Sequence, residues 1–348
     1  MEGKISGLES QGRDTPLVKC FPDGPCQMKV SSCATQPVEA VLCEGPGGER
    51  RGNVMKARRG SPLCSVTLIV CFVLGLIVST SMDEAKAHEA DLKEASGGLE
   101  VCVVVDNNPY KAGLDNPWGF SCVVKGTEKT ILFDTGPAGN PLLNNMKTMH
   151  IFPQDVDVVV LSHIHQDHTG GLMSFLKENP EVTVYLPCSF PVGFKEAVKN
   201  YGAKVVEVGG AEKICDRVYS TGELEGPVNE QSLVIRTDRG SVVISGCAHP
   251  GILNILKKAR ELFKEDLLLA MGGFHLIGMV SEGPGSQNLK SIVSGFKTLR
   301  VRYAGPCHCS GIAARRLFKR AYQENYIEIG VGKVIKIDNL QVPLQAIE

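Results

Sequence analysis

The residues best suited to chemistry lie in one stretch, Leu161-Ser162-His163-Ile164-His165-Gln166-Asp167-His168-Thr169-Gly170-Gly171. Three imidazoles and a carboxylate within six residues have no inexpensive structural role, because burying them without partners is costly. The cluster stands out further because the whole chain holds only eight histidines. Imidazole and carboxylate together suit Zn2+, with Mn2+ or Fe as alternatives, and such ions bring the pKa of a water toward neutrality. His163 and His165 point the same way if strand geometry persists, whereas the adjacent Asp167 and His168 point differently. That split suits two neighbouring divalent ions. Three more histidines follow apolar runs: His249 in Ser245-Gly246-Cys247-Ala248-His249, His275 in Gly272-Gly273-Phe274-His275-Leu276, and His308 in Pro306-Cys307-His308-Cys309.

Positioning these groups requires strands that end at the site. Strand-like runs cover Leu99–Val105, Phe120–Val124 and Thr130–Phe133, with a turn at Gly126-Thr127-Glu128. Val156–Leu161 is a continuous apolar run, as expected for a strand buried on both faces, and it delivers the histidine cluster onto the loop that follows. A helix over Leu172–Glu178, a strand at Val182–Leu186, a helix at Val192–Asn200 and a strand at Lys204–Val208 complete the first half. Ser232–Arg236 and Val242–Ser245 flank Thr237-Asp238-Arg239-Gly240, a hairpin signal. Helices over Ile252–Phe263, Leu289–Leu299 and Ile312–Gln323 then alternate with strands at Leu267–Met271 and Arg302–Pro306. Two such halves predict two packed sheets flanked by helices.

The HxHxDH pattern after an apolar strand resembles the signature of the metallo-β-lactamase superfamily, over roughly residues 99–340. The resemblance implies an α/β fold, a four-layer αββα sandwich. It assigns His163 and His165 to one metal, and Asp167 and His168 to a second. Phe133-Asp134-Thr135-Gly136 is similar to the family's first motif, which implies that Asp134 orients the histidine loop without binding metal. Gly246–Ile252, Gly272–Leu276 and His308–Gly311 resemble blocks of one subgroup, the dihydropterin-ribofuranosyl-aminobenzene-phosphate synthases. Gln166 occupies the slot where flavodiiron relatives carry a carboxylate, which argues against redox chemistry.

One departure shapes the expected ligand set. The superfamily's third histidine should precede the hairpin, yet Gly226–Ser232 contains none, and the bridging aspartate is replaced around Cys247 or His249. His249 and His308 are therefore expected to complete the coordination spheres, with His275 a ligand or a substrate contact. Asp167 and His275 are the expected catalytic side chains. Cys247 reads equally as a ligand thiolate or as a small buried residue. The activity expected is that of a metal-dependent hydrolase, using an activated water on a small phosphate ester, ester or lactone. A synthase-like transferase and a non-catalytic metal-containing binding protein are the alternatives, since a shared fold hosts many functions.

Thirty-seven basic and 38 acidic residues give a net charge of −1 with no pull toward polyanions, and no large insertion separates the motifs, so no nucleic-acid partner is expected; the partner expected is a small-molecule substrate. Residues 1–54 mix Gly, Pro, Ser and charges without periodicity, and read as a disordered or mis-assigned extension. From Met55, the basic Lys56, Arg58 and Arg59, the apolar run Val66–Val78 and Ala85-Lys86-Ala87 describe a signal peptide over 55–87. The mature chain would then begin near His88, be exported, and pass a short linker, 88–98, into a domain over 99–348. The alternative is a membrane anchor, although the run is shorter than the roughly 20 residues that span a bilayer. Of 13 cysteines, the seven that follow Ala87 cannot all pair, and no disulfide is assigned.

Overall fold

The computed structural model describes residues 98–283 and 286–341; the expected extension and signal segment lie outside the described residues. The strands are β1 (Glu100–Asp106), β2 (Phe120–Lys125), β3 (Ile131–Phe133), β4 (Val158–Val160), β5 (Thr183–Pro187), β6 (Lys204–Val208), β7 (Glu212–Cys215), β8 (Val218–Ser220), β9 (Leu233–Thr237), β10 (Gly240–Ser245), β11 (Leu267–Gly273), β12 (Val301–Cys307) and β13 (Val334–Lys336). The helices are α1 (Gly139–Thr148), α2 (Gln166–Thr169), α3 (Leu172–Glu178), α4 (Val192–Asn200), α5 (Ile252–Phe263), α6 (Ser286–Thr298) and α7 (Gly311–Tyr322). One sheet has the order β13-β1-β2-β3-β4-β5-β6 and the other β12-β11-β10-β9-β8-β7.

Three apolar clusters show how the layers stack. Alternate residues of each strand face opposite sides of its sheet, so Val101, Phe120, Val158 and Val160 meet Leu233, Ile235, Val242 and Ile244 between the sheets. Their neighbours Cys102, Val123, Val159 and Leu161 face outward onto Leu142 and Met146 of α1, and Leu172 and Phe175 of α3. On the other side Val234, Val243 and Ala270 meet Ile255 of α5, Leu289 and Phe296 of α6 and Phe318 of α7. Helix, sheet, sheet, helix is the four-layer sandwich expected.

Phe318 is fully buried, with ring centroids 4.8 Å from Phe296 and 5.7 Å from Phe274. Phe318→Ala should destabilise the protein by about 3–5 kcal/mol, the cost of an emptied aromatic site. Urea unfolding measures it; a loss well under 1 kcal/mol would show that α7 does not pack this way.

Strand direction explains where the site lies. β3, β4 and β5 run parallel, as do β10, β11 and β12. Their carboxyl ends therefore gather at one edge, where ligands bind in open parallel sheets. Asp134 follows β3, His163 follows β4, Cys247 follows β10, His275 follows β11 and His308 follows β12.

Several expectations need correction. β4 ends at Val160, before the site sequence, and Asp167 and His168 sit on the one-turn helix α2 rather than on a loop. Helix α6 starts at Ser286, three residues before the apolar periodicity that marked it. α1, β7, β8 and β13 were not anticipated: α1 opens on Gly139-Asn140-Pro141, a turn signal, and the three strands are too short to show alternation. Among the described residues, no helix is long and apolar enough to cross a membrane.

Candidate metal centre

The loop after β4 brings its ligand candidates together. His163 Nε2 lies 3.1 Å from His165 Nδ1, and the two ring centroids are 4.8 Å apart. His249 joins them from the other sheet, its ring 4.7 Å from His163 and 4.8 Å from His165. A second group forms beside the first. His168 Nε2 is 3.2 Å from His308 Nε2, while Asp167 Oδ2 is 3.3 Å from His308 Nε2 and 3.6 Å from His168 Nε2. Asp167 and His168, expected to point differently, thus reach the same group.

Cys247 lies between the two. Its sulfur is 3.2 Å from His168 Nε2, and it belongs to close donor sets with His163 and His168, with His249 and His275, and with His308 and Cys309. In each set the donor atoms lie within 4.8 Å of one another. Among the described residues every histidine except His150 has converged on this edge. His275 is exposed, its ring 4.4 Å from His249, and it lies outside the His163–His165–His249 and Asp167–His168–His308 groups.

The outer nitrogens of these rings are already committed. Asp134 accepts from Ser162 N and Oγ at 2.7 Å each, and its Oδ2 faces His168 Nδ1 at 2.7 Å. Because Ser162 Oγ gives its proton to Asp134, it accepts from His163 Nδ1 at 2.9 Å. His308 Nδ1 donates to Asn107 Oδ1 at 2.8 Å, and its backbone N–H donates to the buried Asp106. Protons on the outer nitrogens leave bare lone pairs on the inner ones. Asp134 thus orients the histidine loop as the family resemblance implied.

That arrangement fits a cation. With both rings neutral and protonated on their outer nitrogens, the inner nitrogens of His168 and His308, 3.2 Å apart, would repel one another unless a positive charge lay between them. Tetrahedral ligands at a metal–nitrogen distance near 2.05 Å are about 3.3 Å apart, which is the spacing seen here. His249 Nε2 is buried and has no hydrogen-bond partner. A buried nitrogen left unpaired is costly unless something else engages it.

Charge in the site is uneven. Burial, reinforced by the charges of His168 and His249, holds His163 well below the ordinary imidazole pKa. Burial likewise lowers His249 to about 4, helped by the neighbouring His275. For His168 burial acts downward but is outweighed by Asp134, so its pKa is raised. Burial also pushes Asp167 upward, yet the His308 hydrogen bond and the nearby imidazoles bring it down to about 2. Asp167 is therefore an ionised carboxylate, suited to accepting hydrogen bonds or binding a cation and unsuited to donating a proton.

Backbone strain collects at the same edge. Asp134, Ala248, His275 and His308 have φ of 57°, 61°, 52° and 46°, a region in which side chains other than glycine cost about 1–3 kcal/mol each. Gly246 is required because a Cβ there would run into Ser162 Oγ. A cavity of about 510 Å3 opens over the cluster, with Trp118 and Ile277 on its apolar side.

Sequence reasoning missed Glu230, Gln231, Ser162 and Asn107. They carry no diagnostic spacing; only the pairing of two buried polar residues ahead of an apolar strand, Glu230-Gln231 before β9, could have drawn notice.

Comparison with known proteins bears on the family and the fold. The family model described as the metallo-beta-lactamase superfamily matches residues 119–259. The chain is 30% identical over 278 residues to the 7,8-dihydropterin-6-methyl-4-(beta-D-ribofuranosyl)-aminobenzene-5'-phosphate synthase of Methanocaldococcus jannaschii, covering 65% of this chain and 93% of that protein. Its fold is similar to that of Tm1679, whose crystal structure is described as a metal-dependent hydrolase of the beta-lactamase superfamily. The TM-score is 0.56 at 28% identity, over 68% of this chain and 98% of that one. The metallo-beta-lactamase fold protein YhfI from Bacillus subtilis shares the fold at a TM-score of 0.53 and 15% identity, over 68% and 98% of the two chains. With its two sheets, its histidine motif and a relative matched along nearly its whole length, the chain belongs to the metallo-β-lactamase superfamily.

Proposed function

We propose that the chain is a metal-dependent hydrolase acting on a small phosphate ester, ester or lactone at a centre for two divalent ions. The carrying observation is the pair of three-residue donor groups, His163–His165–His249 and Asp167–His168–His308, joined by the Cys247 sulfur beneath an open cavity. The thiolate and imidazole donors favour zinc over harder ions. Bound there, such ions would acidify a water and neutralise charge on the substrate oxygen.

The chain's own residues divide the remaining work. Asp134, Ser162 and Asn107 fix the rings of His168, His163 and His308, so that little reorganisation is needed when substrate arrives. Trp118, half-exposed with its ring 5.0 Å from His308, gives the substrate an apolar wall and shields one side from water. His275 lines the cavity beside the clustered donors, on a backbone that Gly272 and Gly273 allow to approach closely. From there its imidazole can protonate the leaving oxygen, or hold the substrate in place.

His275→Ala should therefore retain nearly all its metal and lose about 10²–10⁴-fold in turnover, the usual worth of a positioned acid. Metal analysis beside kinetics decides it, because loss of an ion from this variant would make His275 a ligand. The hydrolase reading itself is tested with purified protein on ester, lactone and phosphoester panels in 18O-labelled water. Label in the product supports hydrolysis. A second reading, a synthase-type transfer, is favoured by the 30% identity to a named synthase, and it predicts bond formation without label.

A further inference from the structure

Glu230 and Gln231 lie in none of the donor groups, yet both are fully buried between the two ligand-bearing edges. The Glu230 carboxylate accepts four consecutive backbone N–H groups. Oε1 takes those of Gly246, Cys247 and Ala248 at 3.0, 2.9 and 2.9 Å, and Oε2 takes that of His249 at 2.8 Å. The segment it gathers is the one that carries Cys247 and His249. Ala248 reaches the required curvature only at a φ of 61°, so the loop curls around the carboxylate against its own preference.

Gln231 grips the other edge. Its backbone N–H donates to Ser162 O at 2.9 Å, and its side-chain amide donates to Leu161 O at 2.9 Å and Tyr185 O at 3.3 Å. Its own carbonyl oxygen is held by Ser220 Oγ at 2.6 Å. Leu161 and Ser162 feed directly into His163. One dipeptide therefore grips the loop carrying Cys247 and His249 with one side chain and the root of the His163–His168 loop with the other.

We infer that Glu230 and Gln231 are positioning residues that set the spacing between the two ligand-bearing loops of the centre, Glu230 by fixing where Cys247 and His249 meet His163 and His165. The inference rests on the metal-centre reading above. A carboxylate that accepts along both oxygens has no substitute in an amide. Glu230→Gln keeps size and shape but turns an NH2 toward one of the four N–H donors, and a donor facing a donor is repelled. With Gln oxygen facing the three-donor side, the lost contact is the one to His249.

The test compares full-length wild type with Glu230→Gln, each stripped and reloaded with Zn2+ or Co2+. Chelator competition gives the affinity of each ion, and melting of the metal-free protein gives the structural effect. For Glu230→Gln one ion per chain should weaken 10–100-fold, as losses of outer hydrogen bonds to ligands do, and the Co2+ spectrum should change. Metal-free melting should move far less than the melting of the loaded protein. Unchanged affinity for both ions, with an unchanged Co2+ spectrum, overturns the inference. So does a loss of metal-free stability that accounts for the whole effect. If Glu230→Gln does not fold, Glu230→Asp is measured in the same way and should show the same selective loss; failure of both to fold makes the carboxylate structural and also overturns it. Wild type that binds no Zn2+ would instead remove the metal-centre reading, so the two failures are distinct.

Discussion

His168→Ala is expected to lower turnover on the order of 10³-fold or more, beyond the 10–100-fold typical of changes outside the coordination sphere. His168 is fully buried, its Nδ1 held by Asp134 at 2.7 Å and its Nε2 placed 3.2 Å from both His308 Nε2 and the Cys247 sulfur. The ion of the Asp167–His168–His308 group should be lost, and that of the His163–His165–His249 group weakened through the shared sulfur. His163→Ala should reverse the pattern. Metal counting by mass spectrometry on both variants reads the result, and full occupancy in either would mean that its ring binds no ion.

Cys247→Ala is expected to have the second large effect, because one sulfur takes part in donor sets on both sides of the centre. Wild type loaded with Co2+ should show a sulfur-to-cobalt charge-transfer absorption, and Cys247→Ala should lack it. Affinity should fall by at least 10–100-fold, with turnover falling alongside. Cys309→Ala is the control. The Cys309 thiol is buried and lies 3.6 Å from the Cys247 carbonyl, close enough to be mistaken for the ligand. If the band survives in Cys247→Ala and vanishes in Cys309→Ala, the two cysteines must exchange roles.

The legible parts of this molecule were those in which residue type and spacing repeat a physical constraint. The HxHxDH run, the Thr237–Gly240 hairpin and helices such as Val192–Asn200 and Ile252–Phe263 appear in the structure at or near their expected places. The ends of parallel strands account for why His249, His275 and His308, far apart in sequence, converge with His163. Less legible was anything decided by contact across the two sheets. Whether Cys247 faced the donors or merely filled space depended on which way the chain leaves β10, and Glu230 sets that direction. Asn107 and Ser162 are ordinary polar residues until a ring nitrogen lies beside them. The one-turn helix α2 was also hidden, since four residues are too few to show a period.

The most direct test of the account is a crystal structure of the zinc-loaded protein with anomalous data collected at the zinc edge. Two peaks per chain are predicted. One should lie among His163, His165 and His249, the other among Asp167, His168 and His308, with the Cys247 sulfur within about 2.3 Å of at least one of them, the usual zinc–thiolate distance. Absence of any peak at this edge of the sheets, or a zinc ion held by residues outside these two groups, would contradict it.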